Sequence, residues 1–153
     1  MSSLFNKLLV AALPALPRAF MGRFARRYVA GEQAGQALSV AKALNGRGFE
    51  VTLDILGEHV DSRQEAQEVT AAYVDLYHQI AATGTRANIS LKPTHLGLDL
   101  GRELCRDNLS QVVSAGRETG NFLRIDMENS GQTDDTLALF TDCRNIYDRV
   151  GPV

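Results

Sequence analysis

Two cysteines, Cys105 and Cys143, are all the thiol chemistry this chain offers. Their wide separation fits neither a disulfide framework nor a paired-cysteine metal site. Each falls on the apolar side of an expected helix, where a free thiol behaves as a small hydrophobe, so the reading is a reducing compartment with no disulfide. An excess of one charge is also missing. The 16 basic and 18 acidic side chains leave a formal net charge of −2, which argues against a nucleic-acid partner held by charge. No apolar run approaches the ~20 residues that cross a bilayer. A phosphate-binding glycine loop is lacking as well, because Leu56-Gly57-Glu58-His59 does not have the spacing of a dinucleotide fingerprint. What remains is ordinary: 153 residues, 44% hydrophobic and 22% charged, enough for one globular domain with a sizeable core.

Acidic residues are absent before Glu32, whereas Lys7, Arg18, Arg23, Arg26 and Arg27 precede it. That basic start admits three readings. One is a targeting segment, which Pro14 and Pro17 interrupt. Another is a membrane-surface helix with Leu8, Leu9, Ala12 and Phe20 on its apolar side. The favoured one is an N-terminal helical arm, residues 1–48, whose cations stay in water.

Hydrophobic periodicity organises the rest. Ala37, Val40, Ala41 and Leu44 recur at helical spacing over residues 33–44, and Asn45-Gly46-Arg47-Gly48 stops that helix. Residues 49–58, rich in β-branched and large apolar side chains, read as a first strand ending on Gly57 and Glu58. Ser62-Arg63-Gln64-Glu65 is a capping box. The helix it starts should bury Val69, Tyr73, Leu76 and Ile80 and end at Gly84. Residues 87–92 form a second expected strand, followed by a loop over 93–101. A helix over 102–119 puts Cys105, Leu109, Val112 and Gly116 on one face, and Gly120 closes it. Residues 122–126 make a third strand. Thr133 then caps a last helix, with Asp134 and Asp135 suited to its positive end and Leu137, Phe140, Cys143 and Tyr147 as its buried face.

Strand starts near residues 51, 88 and 122 repeat every 34 to 37 positions, close to the ~31 residues per unit of a (β/α)8 barrel. A doubly wound sheet would suit the total length, but it needs about five strands and three are found. The expected fold is therefore α/β: a partial (β/α)8 TIM barrel, about three βα units over 49–153, preceded by N-terminal helices. Val150-Gly151-Pro152-Val153 resembles the approach to a fourth strand, and the chain reads as truncated there. In such a sheet ligands bind at the carboxyl ends of the strands. The second and third strands both break into charge at that end, which nominates Lys92 and Asp126 as facing one pocket.

Four blocks carry a family resemblance. They are Arg26-Arg27-Tyr28-Val29-Ala30-Gly31-Glu32, Leu53-Asp54-Ile55-Leu56-Gly57-Glu58, Ser90-Leu91-Lys92-Pro93-Thr94-His95-Leu96-Gly97-Leu98-Asp99-Leu100, and Arg124-Ile125-Asp126-Met127-Glu128. In this order and spacing they resemble the amino-terminal half of bacterial monofunctional proline dehydrogenase. The resemblance implies a barrel that holds FAD, oxidises L-proline to Δ1-pyrroline-5-carboxylate by hydride transfer, and passes electrons to a quinone. It implies that Lys92 pairs with the substrate carboxylate, that Asp126 is the active-site aspartate, and that Met127 beside it touches the flavin. It further implies that Glu58 gates the pocket by pairing with an arginine from late in the chain, and that the protein is cytoplasmic, with peripheral contact to the inner membrane. Two departures are mild: Asn129 replaces an acid and His95 replaces an amide. The family's flavin-contacting arginine and paired carboxylate-binding arginines come from later strands, so the truncated chain is expected to be inactive alone. Two other readings use the same strand ends. His59, His95, Asp126 and Glu128 would serve a metal-dependent TIM-barrel hydrolase or lyase, and exposed strand edges would serve a non-catalytic gene fragment that meets a partner.

Overall fold

A computed structural model describes residues 29–153. The basic arm's expected apolar side, and most of its cations, lie outside the described residues. The chain divides into two compact units, residues 1–40 and 41–153. In the first, helix α1 (Ala34–Asn45) begins, and the Gln36 side chain accepts the Glu32 backbone N–H ahead of it at 2.9 Å.

The second unit alternates strands and helices: β1 (Val51–Leu53), α2 (Arg63–Thr83), β2 (Ala87–Leu91), α3 (Arg102–Glu118), β3 (Leu123–Ile125), α4 (Thr133–Ile146) and β4 (Val150–Pro152). Two short 3-10 turns, Pro93–Leu96 and Leu98–Leu100, lie between β2 and α3. The four strands form one sheet in the order β1-β2-β3-β4, and every pair is parallel. Parallel neighbours in sequence order, each joined by a helix, are the repeating unit of the (β/α)8 barrel. The protein carries part of one.

Helix α2 starts where the capping box places it. Ser62 takes extended geometry, its hydroxyl accepts the Glu65 N–H at 3.1 Å, and the Glu65 carboxylate accepts the Asp61 N–H in return. The helix ends at Gly84, whose φ of 62° is the left-handed conformation that a side chain would disfavour. Leu53, Ile89, Leu91, Leu123, Ile125 and Val150 alternate along the strands and are all buried. Helices α2 and α3 pack on each other, as do α3 and α4. Tyr73, Leu76 and Ile80 of α2 are buried as expected, with Val69 half-buried. Cys105, Leu109, Val112 and Gly116 of α3 share a buried face, also as expected.

Four local expectations are corrected. The first strand keeps only Val51–Leu53 of residues 49–58. Its neighbour β2 pairs no further than Leu53, Phe49 is exposed ahead of it, and Leu56 is 84% exposed beyond it. A fourth strand exists where only its approach was expected. Val150 pairs with Leu123 and Pro152 with Ile125, and Val153 donates to the Ile125 carbonyl at 2.9 Å. Proline is tolerated there because the Val153 and Leu123 amides carry the bonds on either side. Thr133 is not the cap of α4. Gln132 holds that position without a side-chain cap bond, and the Thr133 hydroxyl instead reaches the Asn129 carbonyl at 3.4 Å. The face that α4 buries is Thr136, Leu139 and Cys143, leaving Leu137 43% exposed.

Candidate active site

Residues on the other face of the sheet are mostly polar. Thr52 is in register with Asn88, and Ser90 with Arg124 and Gly151. Successive side chains alternate faces, so Asp54, Lys92 and Asp126 continue those rows past the strands' carboxyl ends. Phe122 lies on this face too, because a Cβ at Gly151 would come within 2.8 Å of its ring. All the charged groups nominated from sequence therefore emerge at one end of the sheet.

Each is held by a neighbouring strand. Lys92 is half-buried at the end of β2, and its Nζ lies 3.9 Å from Glu58 Oε1, which follows β1. Asp126 continues the β2–β3 ladder, its N–H donating to the Leu91 carbonyl at 2.9 Å. Its carboxylate accepts a short hydrogen bond from the buried Ser90 hydroxyl. Glu128 is gripped from the same side: Thr94, fully buried, donates its N–H at 3.1 Å and its hydroxyl at 2.7 Å to one Glu128 oxygen. Three donors near the end of β2 thus orient two acids after β3. Met127 is 37% exposed between those acids, with its N–H fixed to the Val153 carbonyl at 2.9 Å.

A second cluster lies beside β1. The Tyr73 hydroxyl, on a buried ring, donates to Asp54 Oδ1 at 2.9 Å. Loss of water around Asp54 raises its pKa, opposed by the Tyr73 hydrogen bond and by the charges of Lys92 and His95, while Asp126 adds to the rise. Burial likewise keeps the Tyr73 hydroxyl protonated, as a donor. His95 meets the Tyr73 ring edge-on, with centroids 6.2 Å apart. Only 6% of His95 is exposed, and burial lowers its pKa, favouring the neutral ring. Its Nδ1 is buried without a hydrogen-bond partner.

His95 also explains Gly57. A Cβ at Gly57 would stand 2.3 Å from His95 Nε2, closer than any packed pair tolerates. Gly57→Ala should therefore destabilise the fold by about 1–3 kcal/mol, the range for overpacking, and His95→Ala in the same chain should relieve most of that loss. Urea unfolding of the two single variants and the double variant checks it. Additive losses would show that the two residues do not meet.

Of the candidate metal set, His59 is bonded to Asp99 at 2.5 Å, His95 faces Tyr73, and Glu128 faces Thr94. Among the described residues no three such side chains converge on a common point. The sequence assigns no site role to Ser90, Thr94, Tyr73 or Asp54. The partners of Ser90 and Thr94 lie 36 and 34 residues away, and only the sheet register brings them together. Ser90 has one sequence signal, a polar position between apolar neighbours in its strand, and Thr94, in the turn after it, has none.

The family model described as proline dehydrogenase matches residues 37–149. Proline dehydrogenase 1 of Bacillus subtilis is 33% identical over 129 residues, covering 84% of this chain and 43% of the relative. Proline dehydrogenase of Deinococcus radiodurans is 31% identical over 128 residues, covering 82% and 41%. The chain thus spans less than half the length of these curated relatives. Among solved structures, proline utilization A from Bdellovibrio bacteriovorus, inactivated by N-propargylglycine, aligns with a TM-score of 0.72 at 27% identity, over 81% of this chain and 16% of that one.

Proposed function

We propose, because this chain belongs to the proline dehydrogenase family, that its strand mouth is part of a site for the FAD-dependent oxidation of L-proline to Δ1-pyrroline-5-carboxylate. The observation that carries the proposal is the half-buried Lys92 among the acids Glu58, Asp54 and Asp126 at the carboxyl end of parallel strands. An amino-acid substrate has a carboxylate and an amine, and this end offers a partner for each. Lys92 binds the carboxylate as a point charge. Asp126, oriented by Ser90, faces the amine side and the polar edge of the cofactor. Met127 supplies the apolar contact to the flavin ring, and Glu58 moves between Lys92 and a cation of a later strand as the gate. When bound, FAD accepts the hydride that leaves the proline ring, and a quinone is the proposed final acceptor. Residues 49–153 act as the first units of the barrel and 1–48 as an arm before them, with cytoplasmic placement and peripheral membrane contact as the family suggests. No described helix is long and apolar enough to cross a membrane.

A barrel of this family closes with eight strands, whereas the described residues supply four. A polypeptide of these 153 residues alone is therefore proposed to be inactive. The purified chain, mixed with FAD and L-proline, should not reduce an artificial electron acceptor above background. Turnover by the chain alone would show that four strands suffice, and would overturn this part of the proposal.

A further inference from the structure

Asp99 lies in the turn after β2, 39% exposed at its side chain. One of its oxygens meets His59 Nδ1 at 2.5 Å, and the other accepts the Gln132 amide N–H at 2.5 Å. His59 follows β1, directly after Glu58. Gln132 lies between β3 and α4, in the loop that begins with Met127 and Glu128. One carboxylate therefore ties together the loops after three successive strands, the same loops that carry Glu58, Lys92 and Met127.

We infer that Asp99 is a positioning residue, the hub of a latch with His59 and Gln132 that fixes the three loops of the strand mouth relative to one another. The inference deepens the reading of that mouth as a proline site and rests on it only for its consequence in substrate binding. The latch itself is a property of the chain without ligand.

The latch carries its own pH dependence. His59 faces Asp99 from the second loop, Glu58 beside it in its own loop, and Glu128 from the third loop. Its hydrogen bond to Asp99 is the largest influence and raises its pKa, and the three negative charges act in the same direction. Lys92 lies against Glu58 at 3.9 Å. A raised histidine pKa means that the ion pair is fully formed below the ordinary histidine value. It is lost as pH rises through the raised value. Above that pH the neutral ring can keep its Nδ1–H bond to Asp99 but not the charge that strengthens it, so the latch loosens and Asp99 depends more on the Gln132 contact. Because an exposed pair is weak individually, its effect should be read in the order of the loops and not in global stability.

Nuclear magnetic resonance on the 153-residue chain tests this. His59 should titrate above the ordinary histidine range, and Asp99→Asn should return it to that range. Protection of the hydrogen-bonded amides of Asp61, Gly131 and Gln132, corrected for intrinsic base catalysis, should fall at least threefold as pH passes through the His59 transition. In Asp99→Asn it should be low at every pH, and His59→Leu, a change at an exposed position, should give the same low and pH-independent protection. Ordinary titration of His59, or loop protection that neither variant changes, would overturn the inference. A chain that shows the latch but gives no proline site once the barrel is completed would refute the functional reading alone.

Discussion

Lys92→Met is expected to weaken L-proline binding about 30-fold or more, with the loss in KM and a much smaller change in kcat. The variant has to be read in a closed barrel, so residues 37–149 are placed in the matching segment of Bacillus subtilis proline dehydrogenase 1, with which the chain shares 33% identity. Lys92 is half-buried, and its one ion-pair partner among the described residues, Glu58, is largely exposed at 3.9 Å. That arrangement leaves the partly buried ammonium available to an incoming carboxylate. Removing one partner of a desolvated charge pair costs about 2–5 kcal/mol, which corresponds to roughly 30-fold at the low end. The charge is felt by bound substrate and by the transition state alike, so the loss belongs in binding. Arginine should not restore it fully, because its planar fork differs from a compact ammonium. Unchanged KM in Lys92→Met would remove Lys92 from the carboxylate role.

Tyr77→Ala is the largest stability effect expected in the described part of the chain, about 3–5 kcal/mol, the range for truncating a buried aromatic ring. Tyr77 is completely buried in α2. Its hydroxyl donates to the Phe122 carbonyl at 3.2 Å, at the start of β3. Its ring lies against α3 at Gly116, where an added Cβ would come within 3.3 Å of it. One side chain therefore joins two helices and the sheet. Burial keeps the hydroxyl protonated, as the donor that the Phe122 carbonyl requires. Tyr77→Phe keeps the ring and loses only that bond, a cost of about 1 kcal/mol. Urea unfolding of both variants followed by circular dichroism separates the terms. A Tyr77→Ala loss below 1 kcal/mol would mean that the three elements do not meet at this residue.

Helices were the legible part of this fold, because each carries its own punctuation. Ser62 and Glu65 start α2, Gly84 ends it, and the apolar spacing of α3 names its buried face. Legibility failed where structure depends on distant partners. β4 contains a glycine and a proline in three residues, so its local pattern suggests only the approach to a strand. It is a strand because Leu123 and Ile125 offer an edge. The first strand reads as ten residues from composition, yet pairing stops at Leu53, after which the chain turns away and exposes Leu56. In α4 a shift of one position along the helix separates Thr136 and Leu139 from the expected Leu137 and Phe140. Threonine at a buried position misleads any count of apolar residues.

The site divides in the same way. Lys92 and Asp126 stood out because charge follows an apolar strand, and the structure brings both to one end of the sheet with Glu58. The groups that orient them were hidden. Ser90 and Thr94 look like routine strand and loop residues until the register sets them beside Asp126 and Glu128. Tyr73 counts as core by its spacing, and only its hydroxyl, aimed at Asp54, gives it a second part.

Proline-dependent reduction of an artificial electron acceptor by the chimaera carrying residues 37–149 is the most direct test that these strand ends form part of a proline-oxidising site. The expected result is a yellow protein that turns over with L-proline and loses that activity at low proline in Lys92→Met. A folded, flavin-loaded chimaera that does not reduce the acceptor with L-proline would contradict it.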